Sequence, residues 1–283
     1  MNQKKSTFLV LLSAILFSTG GLFFKIIPWN ALALNSVRTL ITECALILYM
    51  KIKGRKFILN KTVLKAAFWL ALTNLTCALS NKMTTAGNAV ILQFTMPVFV
   101  ILILLVFYKK KPSGEELLTC GLVFGGIVLF FLDSISAGNM LGDAIAVLSG
   151  VGYAFYFVLG SKDDASPLSS LVIAYGFCVL IGVPQVLKTD FSTATLGILL
   201  ALLAFALLQQ TAGQICLSEG LPGTDTVDAS LISGIEPILN PIWVAVFWHE
   251  MLTPLALAGA AVVLVSITVY NYRCAKRLAA QQN

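Results

Sequence analysis

Residues 229–250, ASLISGIEPILNPIWVAVFWHE, are apolar over a length that can cross a bilayer, yet they hold a carboxylate, Glu236, near the middle. A spanning helix needs about 20 predominantly apolar residues. An ionisable group at that depth is by default a candidate functional site. Glu236 is followed by Pro237, Asn240 and Pro241, so the stretch has two positions where a helix is expected to lose a backbone hydrogen bond and crowd a carbonyl. In lipid the freed carbonyls need a partner or a watery cavity. Glu236 and Asn240 are one turn apart on one face, with Trp243 a further near-turn along it. The same residues also fit a proline-kinked packing helix whose acid is buried against a neighbour.

The rest of the chain has the same character. Of its 283 residues 58% are hydrophobic and only 11% charged, and the mean hydropathy is +0.90. Globular domains have about 45–50% apolar and about 25% charged residues. Ten apolar stretches follow one another: 7–27, 31–50, 62–79, 89–108, 115–132, 141–160, 168–187, 193–217, 228–248 and 254–272. They leave no room for a soluble domain and lack the short dyad pattern of membrane barrels. The expected fold is all-α, a polytopic membrane protein of ten transmembrane helices.

The net charge of +6 is distributed as a membrane protein requires. With the N-terminus inside, Lys4, Lys5, the loop from Lys51 to Lys65, Lys109 to Lys111, Lys162, Arg273, Lys276 and Arg277 all fall on the inner side. Only Lys82 and Lys188 lie opposite. This positive-inside asymmetry places both termini in the cytoplasm and points to the cell membrane, not to nucleic acid. The first stretch follows two lysines as a signal peptide would, but it is long, holds Lys25 and has no small-x-small cleavage site, so it is expected to be retained. The six cysteines, Cys44, Cys77, Cys120, Cys178, Cys216 and Cys274, have no metal-ligand spacing and are expected to pack.

Polar residues punctuate the apolar runs. In the second stretch Arg38 sits in the outer third and Glu43 near the middle. Five residues apart, they are turned by about 140° from each other, so each needs its own partner. Arg38 is either a structural anchor or a substrate contact. Asn74 lies centrally in the third stretch, before Asn81 and Lys82, and Gln93 and Pro97 interrupt the fourth. Gly121 and Gly125 form a small-xxx-small packing signal in the fifth. Tyr153 and Tyr156 share a face of the sixth and either line a cavity or pack. Gln210 and Gln214 share a face of the eighth, next to Gln209, where amides bridge helices or line a water path.

The chain also repeats. At a displacement of 140 residues, AVILQFTMPVFVILILLVFY from Ala89 lies over the opening stretch, pairing Ala89 with Ala229, Pro97 with Pro237, Val106 with Val246 and Phe107 with Phe247. A displacement of 136 pairs Leu12 with Leu148 and Ser13 with Ser149. Two five-helix units, 1–133 and 134–283, are expected. Five being odd, the second unit enters from the opposite side, the inverted-repeat plan of carriers that rock around a midplane site.

These residues resemble the EamA-type, ten-helix branch of the drug/metabolite transporter superfamily. The likeness rests on ILFSTGGLFFK in the first stretch, Arg38, the Ala89 to Pro97 pattern, Gly142 with GYAFYFV, and Ala229, Pro237, Glu250 and Gly259. It departs at Lys109 to Lys111, where such proteins often have Glu, and at Phe17 and Ser18, where they usually have Trp-Gly. The resemblance implies a carrier, commonly an exporter of amino acids or other small metabolites, working without ATP or metal. It assigns no role to Glu43 or Glu236, which stand on depth alone.

The expected function is secondary active transport, by export or exchange, of a small polar metabolite, amino acid or cationic compound by alternating access. Glu43 and Glu236 are candidates for carrying a proton as coupling ion or for holding a cationic group. Asn74, Gln93, Gln210 and Asn240 are candidate hydrogen-bonding contacts, and Tyr153, Tyr156 and Trp243 candidate walls. Pro97, Pro237 and Pro241, with Arg38, are candidate structural or gating residues. Expected partners are a small-molecule substrate and the bilayer, as monomer or homodimer, with no cofactor. An enzyme is not expected: the single histidine, His249, stands beside Glu250 at a helix end, where a cap or interface contact is expected, and no P-loop occurs. The alternatives are a receptor or scaffold and a passive channel.

Overall fold

The computed structural model describes residues 3–282 apart from 110, 161, 163, 221–231, 233 and 250. The side chains of 3, 134–137, 271, 274, 275 and 277–282 are not described. Ala229, Lys110, Glu250 and the side chain of Cys274 therefore lie outside the described residues.

Helices follow one another along the chain. Span one is α1 (Gln3–Ser18) and α2 (Gly20–Ile26), span two α3 (Ala31–Ile52) and span three α4 (Lys61–Met83). Span four is α5 (Ala86–Gln93) and α6 (Met96–Tyr108); spans five to seven are α7 (Gly114–Ala137), α8 (Met140–Gly160) and α9 (Pro167–Lys188). Span eight joins α10 (Leu196–Leu203) to α11 (Gly213–Gly220). Spans nine and ten contain α12 (Glu236–Trp248) and α13 (Pro254–Gln282). Among the described residues eight helices are long and apolar enough to cross a membrane, with a shorter apolar one at Pro254–Tyr270. Their outward faces carry side chains such as Leu48, Leu180, Val106 and Leu196, all exposed. Such a continuous apolar surface is stable against lipid, not water.

Helix starts follow local chemistry. Asn30, Asn60 and Thr85 accept from the backbone N–H groups of Leu32, Val63 and Asn88 at 2.9, 2.8 and 3.0 Å, satisfying donors that a first turn leaves free. Four spans depart from plain α-helix. Span one breaks at Thr19, where the hydroxyls of Ser18 and Thr19 donate back to Ile15 O and Leu16 O at 2.6 and 2.7 Å, a back-bonding that bends helices. Span four breaks at Phe94 and Thr95. Span eight widens into a π-helix at Ala204–Ala212, where the Thr211 hydroxyl reaches Ala206 O at 2.7 Å. In span nine, Glu236 opens α12 instead of sitting mid-helix, and Pro237 stands in its first turn. There a missing N–H costs no bond, so only Pro241, inside α12, interrupts the ladder as expected.

The 140-residue displacement extends to helix ends. Helices α6 and α12 start at Met96 and Glu236 and stop at Tyr108 and Trp248. Both end on left-handed residues, Lys109 (φ 53°) and His249 (φ 56°), whose N–H groups cap Leu104 O and Ala245 O. His249 is thus a helix cap. Span two packs on seven, five on ten, four on nine, three on six and one on eight. Exchanging each span with the one five places along maps this set onto itself.

The glycine contacts are not where the small-xxx-small spacing suggested. Gly121 and Gly125 face open space, whereas a Cβ on Gly126 would meet Val263 Cγ2 at 2.6 Å and Gly259 O at 3.0 Å. Spans five and ten approach through Gly126 and Gly259, one residue along from the expected pair. Gly142 is tighter still: a Cβ there would lie 2.7 to 2.8 Å from the backbone of Met83 and Thr84. Backbone at the turn between spans three and four cannot step aside cheaply. Gly142→Ala is expected to destabilise the protein by about 1–3 kcal/mol, read as earlier thermal unfolding of the purified protein. Unchanged unfolding would mean that the turn yields.

Candidate functional site

A cavity of about 120 Å³ lies among spans one to four, six, eight and nine. Pockets for drug-sized ligands are about 300–1,000 Å³, so the cavity has room only for something smaller. Of the residues singled out in the sequence, Arg38, Asn74, Gln93, Tyr153, Gln210, Glu236 and Asn240 line it. Glu43, Tyr156 and Trp243 do not line it. Glu43 is half-buried with Oε1 toward span seven, 3.4 Å from where a Cβ on Gly176 would be. Tyr156 stacks on Tyr153 (6.1 Å, 3°) and packs against the core around Tyr175. The Trp243 indole donates to Ser18 Oγ at 2.9 Å, tying span nine to the break in span one.

Arg38 is the hub of one wall. It is 4% exposed. Its guanidinium donates to Gln210 Oε1 at 2.9 Å, Asn35 Oδ1 at 2.6 Å and Asn74 Oδ1 at 3.4 Å. The rings of Phe24 and Phe205 approach it at 5.6 and 4.7 Å, within cation–π range. Gln210 Nε2 in turn donates to the Tyr175 hydroxyl. The π-helix turn brings Gln209 and Gln210 both to this cavity, and such turns are frequent at functional sites. No carboxylate pairs with Arg38 among the described residues.

Other lining residues are rich in acceptors. Glu236 has neither hydrogen-bond nor ion-pair partner among the described residues. One turn on, Asn240 Nδ2 donates to Ser18 O at 2.8 Å, and Gln209 Nε2 donates to Phe17 O at 3.3 Å. Both carbonyls are ones the break in span one releases. Gly20 and Gly21 admit these amides: a Cβ on Gly21 would sit 2.7 Å from Asn240 Oδ1. Asn240 Oδ1, Gln209 Oε1 and Asn81 Oδ1 are buried with no partner among the described residues.

Sequence spacing missed several contributors. Asn35 is three residues from Arg38 and so on its face, a signal that was available. Phe24, Phe205 and Tyr175 read as plain apolar positions. Asp143, beside Gly142, is fully buried and accepts from Thr84 Oγ1 at 2.5 Å and Asn88 Nδ2 at 3.3 Å, fixing span six to the turn between three and four. Among the described residues no cluster of His, Cys, Asp and Glu could hold a metal, and Cys44, Cys77, Cys120, Cys178 and Cys216 are free thiols.

Membrane-length helices, apolar outside and enclosing a small polar cavity, define a multi-pass membrane protein of the kind that handles small solutes. The profile of the EamA-like transporter family matches twice, over residues 4–132 and 140–272, and the chain belongs to that family, within the drug/metabolite transporter superfamily. It is 30% identical over 176 residues to an uncharacterized transporter of Archaeoglobus fulgidus (58% of this chain, 60% of the relative). It is 25% identical over 206 residues to one of Synechocystis sp. (69% and 61%). The match thus spans about three fifths of the length of each of these two relatives. An uncharacterized transporter of Clostridium kluyveri is 23% identical over 97% of this chain and 95% of its own. A crystal structure shares the fold with a TM-score of 0.68 at 14% identity, over 98% of this chain and 100% of that one.

Proposed function

We propose that the protein is a secondary transporter that exports or exchanges a small polar metabolite, amino acid or cationic compound by alternating access. Two oppositely inserted five-helix halves, 1–133 and 134–283, rock around the cavity. Both termini are cytoplasmic and the membrane is the cell membrane. The single observation that carries this reading is the cavity itself. It is drawn from helices of both halves and holds a cation, Arg38, and a carboxyl, Glu236, neither of which has an ion-pair partner among the described residues. Burying such groups is costly unless an occupant or water compensates. Glu236 is the proton-coupling candidate within the cavity; Glu43 lies one layer outside it.

Counterflow tests this reading. Purified protein in proteoliposomes, screened with radiolabelled amino acids, polyamines and nucleobases, should show saturable uptake that is accelerated by the same solute inside. Flux without saturation or counterflow would make it a channel, and binding without flux a receptor.

A latch joins the halves at one end. Tyr49 of span two and Arg55 beyond it both donate to Glu219 Oε1 of span eight, Arg55 at 3.2 Å. With the N-terminus inside, this is the cytoplasmic end, so the latch closes the cavity on that side. Cys77 lines the cavity and can report its opening. In a variant with every other cysteine replaced by Ser, Glu219→Gln is expected to speed labelling of Cys77 by an impermeant maleimide from the cytoplasmic side about three- to tenfold. An unchanged rate would remove the latch from gating.

A further inference from the structure

The segment that joins spans two and three, KIKGRKFILNKTVLK from Lys51 to Lys65, carries six basic residues and no acid. Among its cations stand Phe57, Ile58 and Leu59, which are 54%, 44% and 64% exposed. Adjacent apolar side chains left open in this way, rimmed by charge, mark a surface that meets a partner or a membrane. The loop is also held in place. Gly54 (φ 61°) turns the chain beyond α3, and the Arg55 N–H donates to Met50 O at 2.9 Å. Further along, the Ile58 N–H donates to Ser169 Oγ of span seven at 3.0 Å, and Asn60 Nδ2 donates to Asp164 O at 2.7 Å. Cations and apolar side chains are thereby presented together at one end of the bundle.

The charge on this segment is not met from within the chain. Arg55 is taken by Glu219 Oε1 at 3.2 Å, and Asp164 Oδ2 accepts from Thr62 Oγ1 at 2.7 Å. Lys51, Lys53, Lys56, Lys61 and Lys65 are exposed and have no ion pair among the described residues. The amino end of α4 adds to the imbalance: it bears Lys61 and no acid in its first turn, where the helix dipole favours negative charge. Clusters of Lys and Arg beside a membrane span attract anionic lipid. A soluble anion would use the cations alone, whereas exposed Phe and Leu beside basic residues suit the boundary between headgroups and acyl chains. We propose that residues 51–65 form a docking surface for anionic phospholipid, the lysines on its phosphate headgroups and Phe57 and Leu59 among the upper acyl chains. The transport reading neither requires nor implies this site.

The test titrates the purified full chain in uncharged detergent with dioctanoyl phosphatidylglycerol and dioctanoyl phosphatidylcholine, counting bound lipid by native mass spectrometry. Phosphatidylglycerol is expected to bind at least about tenfold more tightly than phosphatidylcholine, and more weakly as salt rises. Lys53→Gln, Lys56→Gln and Lys61→Gln combined should weaken its binding at least about tenfold. Leu59→Ser, at a side chain open to its surroundings, should weaken it about three- to tenfold, so the surface is tested even if the triple variant fails to fold. Lys5→Gln, Lys111→Gln and Lys276→Gln combined, which removes three exposed cations of other segments, should leave binding unchanged. Equal loss in that control would assign the binding to overall charge and overturn the proposal, as would equal affinity for the two lipids. Displacement of the lipid by equimolar glycerol 3-phosphate, or indifference to Leu59→Ser, would make the segment a site for soluble phosphate and overturn it too.

Discussion

Proton-driven uptake into proteoliposomes is expected to fall to the leak rate in Glu236→Gln, while exchange of solute at saturating concentration persists with a raised KM. The side chain keeps its length and one carbonyl oxygen in Gln, so packing at the start of α12 is preserved. What disappears is the ability to take and release a proton, together with the negative charge of the released form, which is why KM is expected to rise as well. Net flux down a proton gradient needs that exchange on every cycle. Solute-for-solute exchange needs only a loaded carrier, and it survives if an uncharged occupant wall still admits substrate. The ratio of driven flux to exchange therefore separates coupling from binding. A wild-type response to the gradient would remove Glu236 from coupling, and equal loss of flux and exchange would assign it to folding or binding alone. Glu43→Gln makes the comparison sharper. Glu43 lies toward Gly176 of span seven, outside the cavity lining, so any loss there is expected to fall on both fluxes alike.

Glu43 and Glu236 also mark what a linear reading can and cannot recover. Depth is legible: both acids sit in mid-run among apolar residues, and the all-helical membrane fold follows from ten such runs and the charges between them. Azimuth is legible only within one helix. The spacing of Glu236 and Asn240 put them on one face, and both line the cavity. Trp243 shares that face by number, but it is turned by its hydrogen bond to Ser18 Oγ, a group revealed only by the break in span one. Which neighbour a face meets depends on packing between spans, so Glu43 and Glu236 read alike in sequence and differ in place. Local irregularity was hidden for another reason. An apolar run has nearly the same pattern in α and π geometry, so nothing in AFALLQQTA announces the wide turn that brings Gln209 and Gln210 to one cavity. Pro97 and Pro237 could be seen as a matched pair, yet whether a proline kinks a helix or opens one depends on where the preceding turn ends. In both spans it opens one. Gly126, not Gly121 or Gly125, packs on span ten because a spacing rule names a face without saying which edge of it meets the partner.

Arg38→Met is expected to lower stability by about 3–5 kcal/mol, the largest loss from any single substitution at the site. Met lies against Phe24 and Phe205 as the arginine stem does and makes favourable contacts with their rings, so the loss of packing is small. The loss of donors is not. Gln210 Oε1, Asn35 Oδ1 and Asn74 Oδ1 all accept from the guanidinium. Each buried acceptor left without a donor costs about 1–3 kcal/mol, and the three share one donor group, so the costs do not simply add. Gln210 also holds Tyr175, carrying the disturbance into span seven. Lys at position 38 keeps the charge but cannot fork toward three amides, so Arg38→Lys is expected to lose about half as much. A double-mutant cycle isolates the network term. When Gln210 is changed to Leu together with Arg38→Met, donor and acceptor leave as a pair, which is close to neutral when shape is kept. The double variant should therefore unfold at a higher temperature than additivity of the two single variants requires, by a coupling of about 1 kcal/mol or more. Strict additivity would mean that the guanidinium acts on these spans only through its contacts with Phe24 and Phe205.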